Sequence, residues 1–191
     1  LRETTEDKLK EAITKLEYLA NTDALTGLYN RKYLEEATEI ITAQSKRTGQ
    51  NYGVLMLDID HFKSVNDTYG HHIGDDVIRI LSQTLKGKTR NSDICIRYGG
   101  EEFVILLYNC DMNYISQIAQ NIRHGFMDKK IETGNKIIHK TISVGTAIFP
   151  TNHEDLFKCI KYADLALYEA KDSGRNKVIP YSEALLKNES S

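Results

Sequence analysis

Two adjacent carboxylates follow a pair of glycines in the middle of the chain, and this arrangement could support metal chemistry. Glu101 and Glu102 come directly after Gly99 and Gly100, and apolar runs on either side predict two strands. The two glycines predict a two-residue hairpin, because glycine adopts a positive φ at little steric cost. Carboxylates at the edge of an apolar sheet are costly to desolvate unless they are paired or bind a metal. The stretch is therefore either a hairpin tip with solvated acids or part of a metal site.

A third carboxylate, Asp58, ends an apolar strand that we predict at residues 52–58. From there the patterns predict the order strand, helix, strand, strand, helix, strand, which is typical of a ferredoxin-like α+β fold. Such a fold usually has an antiparallel sheet with helices on one face, and its first and third strands can lie side by side. Asp58 and Glu101 are therefore expected to be neighbours. Carboxylates without a nearby histidine or cysteine favour Mg²⁺, with Mn²⁺ as an alternative.

The segment after this strand carries groups suited to a nucleotide. We predict a loop at residues 60–67, whose backbone N–H groups could point towards a phosphate, and Lys63 would add positive charge. Asn66 and Asp75 could recognise a guanine edge, since a carboxylate accepts from guanine N–H groups that adenine lacks. The alternatives are ordinary turn and capping roles, and Asp75 in particular could cap the next helix.

Two cations lie where a helix ends near the C-terminus. Lys171 occupies the last turn of a helix predicted at residues 156–171, and Arg175 follows Gly174. A basic residue in this position is favoured by the helix dipole, and glycine commonly ends a helix. The functional alternative is that both cations reach the distal phosphates of a nucleotide.

The composition excludes several classes of function. The chain has 191 residues and a net charge of −2, so there is no basic nucleic-acid surface and no polybasic membrane patch. No apolar run is long enough to span a bilayer. The three cysteines are widely spaced, and Cys95 and Cys159 lie in apolar segments, so both are predicted to be reduced core residues. Reduced cysteines favour a cytoplasmic location, either of the protein itself or of the cytosolic part of a larger sensor protein.

Apolar residues recur at a 4-3-4 spacing near the N-terminus, at Leu9, Ile13, Leu16 and Ala20. This spacing predicts a helix with a short coiled-coil-like stripe. The helix is either the end of a longer one that arrives from an upstream sensory domain or a cap packed on its own domain.

One domain accounts for most of the chain. We predict a linker or signalling helix at residues 1–20, a catalytic domain at residues 21–182 and a polar tail at residues 183–191. The remaining helices are predicted at residues 31–45, 74–85 and 111–127, and the remaining strands at residues 94–96, 103–107, 141–149 and 178–179.

Five motifs in this order resemble the GGDEF family of diguanylate cyclases, over about residues 21–180. The motifs are Asp23-Ala24-Leu25-Thr26-Gly27-Leu28-Tyr29-Asn30-Arg31, Asp58-Ile59-Asp60-His61-Phe62-Lys63 with Asn66-Asp67, Gly70-His71-His72-Ile73-Gly74-Asp75, Arg97-Tyr98-Gly99-Gly100-Glu101-Glu102-Phe103, and Ala170-Lys171 with Gly174-Arg175-Asn176. The resemblance implies a nucleotidyl-cyclase palm, an α/β sandwich whose central antiparallel sheet is flanked by helices. It also implies the condensation of two GTP into cyclic di-GMP and two pyrophosphates, by a homodimer with Mg²⁺. Glu101 stands where the family name has Asp, and both are carboxylates.

The resemblance also implies a role for each matching residue. The metal ligands are Asp58, the Ile59 carbonyl and Glu101; the catalytic residues are Glu101, Glu102 and Lys63; and the substrate is bound by Phe62, Asn66, His71, Asp75, Gly99, Gly100, Lys171 and Arg175. Glu102 is expected either to help hold the metal or to help deprotonate the 3′-hydroxyl. Gly99 and Gly100 make room for the nucleotide.

A regulatory site is implied by Arg90 and Asp93, which have the spacing of the family's inhibitory Arg-x-x-Asp product site. Arg can stack on a guanine and donate in a fork, while Asp accepts from its N–H groups. The alternative is a pair of solvated loop charges. For the whole domain, the alternative to an enzyme is a catalytically silent module that binds GTP or cyclic di-GMP.

Overall fold

The computed structural model describes residues 4–188, which form seven helices and eight strands. In chain order these are α1 (Thr5–Asn21), β1 (Tyr29–Asn30), α2 (Arg31–Thr48), β2 (Tyr52–Ile59), α3 (Phe62–Tyr69), α4 (His71–Lys88), β3 (Ile94–Arg97), β4 (Glu102–Tyr108), α5 (Met112–Met127), β5 (Ile131–Glu132), β6 (Ile137–Ile138), β7 (Ile142–Phe149), α6 (Leu156–Asp172), β8 (Val178–Pro180) and α7 (Glu183–Asn188). Within these residues, no helix is both long and apolar enough to cross a bilayer.

Strand β2 lies at the centre of a six-stranded sheet in the order β1-β3-β4-β2-β7-β8. It pairs antiparallel with β4 on one side and with β7 on the other. The predicted ferredoxin-like order is therefore confirmed, and so is the adjacency of its first and third strands. Parallel pairs of β1 with β3 and of β7 with β8 extend the sheet at its two edges.

Helices cover both faces of the sheet, which confirms the predicted sandwich, a central sheet flanked by helices; the one-face arrangement that is usual for a ferredoxin-like order is not found. Leu55 and Leu57 pack towards α3, α4 and α5, whereas Val54 and Met56 pack towards α2 and α6. All eight residues of β2 are buried. A strand with no solvent-facing side chain must be covered on both faces, because alternate residues point to opposite sides.

A short helix replaces the loop predicted at residues 60–67. Helix α3 begins directly after His61, which has a φ of 56° and a ψ of 37° in the left-handed region. Gly70, with a φ of 86°, is both the C-cap residue of α3 and the N-cap residue of α4. Helix α4 therefore begins at His71, before the predicted residue 74. Asp75 lies inside α4, and the prediction that it caps this helix is wrong.

Helix α1 extends from the domain with its apolar stripe in solvent. Leu9, Ile13 and Leu16 are 61%, 48% and 65% exposed, and none of the described residues of α1 is buried. The alternative that this helix packs as a cap on its own domain is therefore wrong. Residues 1–3 of the predicted helix lie outside the described residues.

The C-terminal segment contains one element that the sequence did not predict. Helix α7 occupies Glu183–Asn188, within the predicted polar tail. The rest of that tail, residues 189–191, lies outside the described part of the chain. Strand β8 ends at Pro180, one residue later than predicted.

The predicted core positions of Cys95 and Cys159 are confirmed, and Cys110 is buried as well. Cys95, Cys110 and Cys159 are all free and buried. Burial raises the pKa of the Cys95 thiol to about 11, so at neutral pH it is protonated and behaves as a small apolar side chain.

Helix α6 approaches β7 unusually closely at Gly145. A Cβ atom on this glycine would lie 1.9 Å from the Ala163 carbonyl oxygen and 2.2 Å from the Leu167 nitrogen. Only a residue without a side chain allows this contact between the two backbones. The close packing brings the C-terminal end of α6, with Lys171, over the end of β2.

A buried carboxylate joins three segments of the chain beside this point. Asp60 is 2% exposed and accepts hydrogen bonds from the hydroxyls of Thr141 and Ser143, both at 2.6 Å. The backbone N–H of Asn176 donates to the same carboxylate at 3.0 Å. Asp60 therefore fixes the end of β2, the start of β7 and the turn after α6 relative to one another.

We expect Asp60→Ala to lower the free energy of unfolding by about 2–4 kcal/mol, because three donors lose a charged acceptor in a buried site. Asp60→Asn retains an acceptor oxygen and should have a smaller effect. Urea denaturation followed by circular dichroism measures the change. Asp67→Ala, at an exposed site in α3, is the control and should stay within about 0.5 kcal/mol. Equal effects of Asp60→Ala and this control would contradict the structural role.

Candidate active site

The turn between β3 and β4 is longer than predicted, and its glycines have a different role. Four residues, 98–101, connect the strands, and neither Gly99 nor Gly100 has a positive φ. The prediction of a two-residue hairpin is therefore wrong. The N–H groups of Tyr98 and Gly99 both donate to the Glu102 carbonyl oxygen, at 2.8 and 3.1 Å. A Cβ atom on Gly99 would lie 2.5 Å from a Glu102 carboxylate oxygen, so this glycine leaves room for that side chain.

Arg97 holds this turn in place from the end of β3. Its guanidinium donates to the Gly100 carbonyl oxygen through Nε and Nη2, at 3.3 and 2.8 Å. Through Nη1 it also contacts both carboxylate oxygens of Asp23, at 3.1 Å each. Burial alone would raise the pKa of Asp23, but hydrogen bonds from Thr26 and the charge of Arg97 lower it. The shape of the turn is therefore held by hydrogen bonds from Arg97 and not by glycines with a positive φ, as the sequence had suggested.

Asp58 is the most enclosed acid of the site. It is 6% exposed at the end of β2, and Lys171 Nζ lies 2.9 Å from its Oδ2. Burial raises the pKa of Asp58; Lys171 opposes this rise, whereas the nearby charges of Glu102 and Asp60 add to it. The structure therefore places a protein cation directly on the carboxylate that was predicted to bind a metal.

The two turn glutamates are both close to Asp58. Glu102 is its direct cross-strand partner on β4, and the Ile59 N–H donates to the Glu101 carbonyl oxygen at 3.4 Å. The pKa of Glu101 is raised by burial first and then by the charge of Asp58. The predicted neighbourhood of Asp58 and Glu101 is therefore confirmed, and three carboxylates share one strand end.

The donor set fits a hard divalent cation that also binds a phosphate. In residues 4–188, no group of three or more His, Cys, Asp or Glu side chains could hold a metal ion. Mg²⁺ is usually held by one or two carboxylates together with substrate phosphates, so a complete protein cage is not required. The position of the Lys171 ammonium at Asp58 shows that a cation is stable there.

The N-terminus of α3 contains the backbone N–H groups and the lysine that were predicted to bind phosphate. No side chain caps this helix, and its first N–H groups have no partner within the helix. Phe62 is buried in the first turn, whereas Lys63 is exposed. The first turn of α3 therefore has unpaired backbone N–H donors and one exposed cation, Lys63, close in the chain to the end of β2.

The predicted guanosine contacts lie on the adjoining helices α3 and α4. The buried Oδ1 of Asn66 has no hydrogen-bond partner, and a Cβ atom on Gly74 would lie 2.0 Å from it. Gly74 thus permits close contact between the two helices, and Asp75 follows it directly. His71 is the first residue of α4 and is exposed. A buried amide oxygen without a partner is uncommon in folded proteins, and it lies beside the predicted guanosine contacts.

Arg175 lies in the turn after α6 and does not share the position of Lys171. It has a φ of 62°, and its N–H donates to the Ala170 carbonyl oxygen at 2.8 Å. The two cations predicted to bind phosphate therefore have different surroundings in this structure. Lys171 contacts Asp58, whereas Arg175 is exposed.

Arg90 and Asp93 lie at the opposite end of β3 from the glycine turn. The Asp93 carboxylate accepts from the N–H of Arg90 at 2.8 Å and from the N–H of Tyr108 at 3.0 Å. The Arg90 guanidinium lies 4.3 Å from the centre of the Tyr114 ring. Asp93 is therefore held by two backbone N–H groups, while the exposed Arg90 guanidinium lies against an aromatic ring.

Three residues on which this geometry depends have no role that the sequence patterns indicate. Asp60, Arg97 and Asp23 were all part of recognised motifs, but their partners lie up to 116 positions away in the chain. A charged residue beside a buried strand was the available signal, because such a residue needs a partner.

Comparison with known proteins assigns the family. A family model described as "Diguanylate cyclase, GGDEF domain" matches residues 20–177. The chain is 40% identical to diguanylate cyclase DosC of Escherichia coli (strain K12) over 157 residues, which cover 82% of this chain and 34% of that protein. The chain spans less than half the length of the curated relatives it matches.

Two solved structures agree with this assignment. The coiled coil and GGDEF domain of DgcB from Caulobacter crescentus, in complex with c-di-GMP, has a TM-score of 0.85 and 29% identity, covering 91% of this chain and 92% of that chain. The active GGEEF domain of a diguanylate cyclase from Vibrio cholerae has a TM-score of 0.75 and 31% identity, covering 81% and 97%. The chain therefore belongs to the GGDEF family of diguanylate cyclase domains.

Proposed function

We propose that residues 21–182 form a diguanylate cyclase domain that condenses two GTP molecules into cyclic di-GMP and two pyrophosphates. The observation that carries the proposal is the cluster of Asp58, Glu101 and Glu102 at one strand end, with the Lys171 cation on Asp58. Three neighbouring acids favour a nearby positive charge, and the divalent cation that accompanies a nucleotide would supply it. The active relative with a GGEEF turn supports Glu at position 101.

The residues that would hold Mg²⁺, or Mn²⁺, are Asp58, Glu101 and the carbonyl of Ile59. When bound, the cation polarises phosphoryl oxygens and lowers the pKa of the attacking hydroxyl. Asp58 is suited to this role because its burial raises the free energy of the bare charge. The raised pKa of Glu101 has the same first cause, so both acids gain from a cation between them.

The substrate would lie across α3 and α4. The backbone N–H groups of Phe62 and Lys63 bind phosphate, and the Lys63 side chain supports the charge of the transition state. The free Oδ1 of Asn66 accepts from the guanosine, while His71 and Asp75 complete its recognition. Asp75 favours guanine over adenine, because adenine has no matching pair of N–H donors.

The reaction requires two protomers that face each other as a homodimer. The 3′-oxygen of one GTP attacks the α-phosphorus of the other, a new P–O bond forms, and the bond to pyrophosphate breaks. The hydroxyl proton leaves the 3′-oxygen, and Glu102 either accepts it or helps to hold the metal. Gly99 and Gly100 leave room for the nucleotide at the shared face. Proximity and preorganised charge supply most of the rate.

Lys171 would exchange its partner when the substrate binds. In this structure its ammonium neutralises Asp58. If Asp58 held a divalent cation, the Lys171 ammonium would be free to reach the distal phosphates, together with Arg175. The same side chain would thus compensate Asp58 before substrate binding and the triphosphate afterwards.

Regulation is proposed at two places. Cyclic di-GMP would bind at Arg90 and Asp93. The Arg90 guanidinium would stack on a guanine and donate paired hydrogen bonds, and the Asp93 carboxylate would accept from guanine N–H groups. The exposed stripe of α1 would pair two protomers and connect them to an upstream sensory domain. The residues that the structure describes contain no helix that could span a membrane.

We expect the purified chain to convert GTP with Mg²⁺ into cyclic di-GMP, measured by chromatography of the nucleotides. Asp58→Asn and Glu101→Gln should lower the rate by roughly a hundredfold or more, because each removes charge from the site where phosphoryl transfer is stabilised. Glu132→Gln, at an exposed position on β5, is the control and should stay within about twofold. GTP binding without any product at high protein concentration would instead support a silent binding module.

Lys171→Met should strengthen Mn²⁺ binding in the absence of nucleotide by roughly tenfold, because it removes the cation that competes for Asp58. The same variant should weaken GTP binding. Electron paramagnetic resonance of free Mn²⁺ and calorimetry with GTP measure the two effects. Lys161→Met, at an exposed position earlier on α6, should change neither. Weaker Mn²⁺ binding by Lys171→Met would contradict the competition.

The rate per protomer should rise with protein concentration, because two protomers must meet for each reaction. Leu16→Gln on the α1 stripe should shift this rise to higher concentration, since it removes an apolar contact between helices. Lys15→Gln, at the preceding position of the same helix, should have little effect on this concentration dependence. A constant rate per protomer over a wide dilution range would contradict pairing through α1.

A further inference from the structure

A cavity of about 390 Å³ lies where α1, the end of α4 and the turn after α4 meet. Its lining includes Tyr18 on α1, Leu28, Lys86 on α4, and both Arg90 and Asp93. The volume is within the range of small-molecule sites, ~300–1,000 Å³. The cavity therefore adjoins the two charges proposed to bind product, and one of its walls belongs to the N-terminal helix.

We propose that cyclic di-GMP bound at Arg90 and Asp93 extends into this cavity and stacks a guanine on Tyr18 of α1. The inference rests on the proposed product site and deepens it. Product binding would then involve the signalling helix itself as well as the catalytic domain.

The chemistry of the walls suits a purine with an anionic linkage. Tyr18 and Leu28 supply aromatic and apolar surface, and aromatic side chains stack on any base. Lys86 Nζ donates to the Thr26 carbonyl oxygen at 3.2 Å, which leaves further ammonium donors for a phosphate. Both Asp93 oxygens accept backbone N–H groups, yet each has another lone pair for a guanine N–H.

Tyr18 is placed so that a ligand could reach it. It is 58% exposed, and its hydroxyl would lie 3.8 Å from a Cβ atom on Gly27, so it reaches the mouth of the cavity without filling it. Gly27 has a φ of 63°, and its lack of a side chain keeps this wall open. A guanine can therefore lie between the tyrosine ring and the polar groups at the end of α4.

A ligand in this position would restrain α1. No described residue of α1 is buried, and the Asn30 side chain holds its end through the carbonyl oxygens of Ala20, at 2.8 Å, and Thr22, at 3.4 Å. Contact of the ligand with Tyr18 would add a second point of attachment. Since a ligand favours the arrangement in which it makes more contacts, product would select one orientation of α1.

The chain contains no tryptophan, so Tyr18→Trp introduces a single fluorescent reporter. We expect its emission to change on titration with cyclic di-GMP and to saturate with the dissociation constant that calorimetry gives for the same variant. Tyr168→Trp, at an exposed site on α6, is the matched control, and its emission should not change. Addition of Arg90→Ala to Tyr18→Trp should abolish both the emission change and the calorimetric signal.

Substitution at position 18 tests the energetic contribution. Tyr18→Ala should weaken cyclic di-GMP binding by roughly tenfold, a loss in the range of one stacked base. Tyr18→Phe retains the ring and should bind as the unsubstituted chain does. If Arg90→Ala abolishes binding while Tyr18→Ala has the unsubstituted affinity and Tyr18→Trp is silent, the extension to α1 is wrong and the product site stands. If the unsubstituted chain shows no binding, or Arg90→Ala binds normally, both proposals are overturned.

Discussion

The negative charge of Asp58 at the end of a buried strand is the constraint on which the site depends. A carboxylate this enclosed needs a cation or hydrogen-bond donors in place of water, and no hydrogen-bond donor other than Lys171 is found at Asp58 in the described residues. Lys171 provides that cation in the present structure. Glu101 and Glu102 bring further negative charge to the same point, so one ammonium leaves the cluster with a net negative charge. This remaining negative charge favours a divalent cation, and in the proposed function that cation would in turn hold the triphosphate.

Several features away from the site maintain this arrangement. Gly145 allows the backbone of α6 to contact β7, which determines how far Lys171 can reach. Asp60 then fixes the turn after α6 through the N–H of Asn176. A larger residue at position 145 would push α6 away from the sheet and lengthen the Lys171–Asp58 contact. Packing and electrostatics are therefore coupled here, since a small change in the position of one helix alters the balance of charge at Asp58.

The sequence predicted the parts of this fold that depend on regular periodicity. The order of strands, the adjacency of Asp58 and Glu101, and most helices follow from apolar patterns. Helix α3 was missed because it has only eight residues and begins after a left-handed His61. The turn was predicted wrongly because its shape depends on Arg97, whose other partner is Asp23, 74 positions away. The continuous apolar run of β2 could have indicated helices on both faces.

The N-terminal segment lies near both ends of β3, at the Arg97 end and at the Arg90–Asp93 end. Asp23, two residues after α1, holds Arg97, which in turn holds the carbonyl of the catalytic turn at Gly100. Tyr18, near the end of α1, lines the cavity beside Arg90 and Asp93. A rotation of α1 about its attachment at Asn30 would move Tyr18 and strain the Asp23–Arg97 contact together, because the connecting segment is short. In the proposed function, one movement of α1 would therefore reach both the proposed product site at Arg90 and Asp93 and the turn at Gly100.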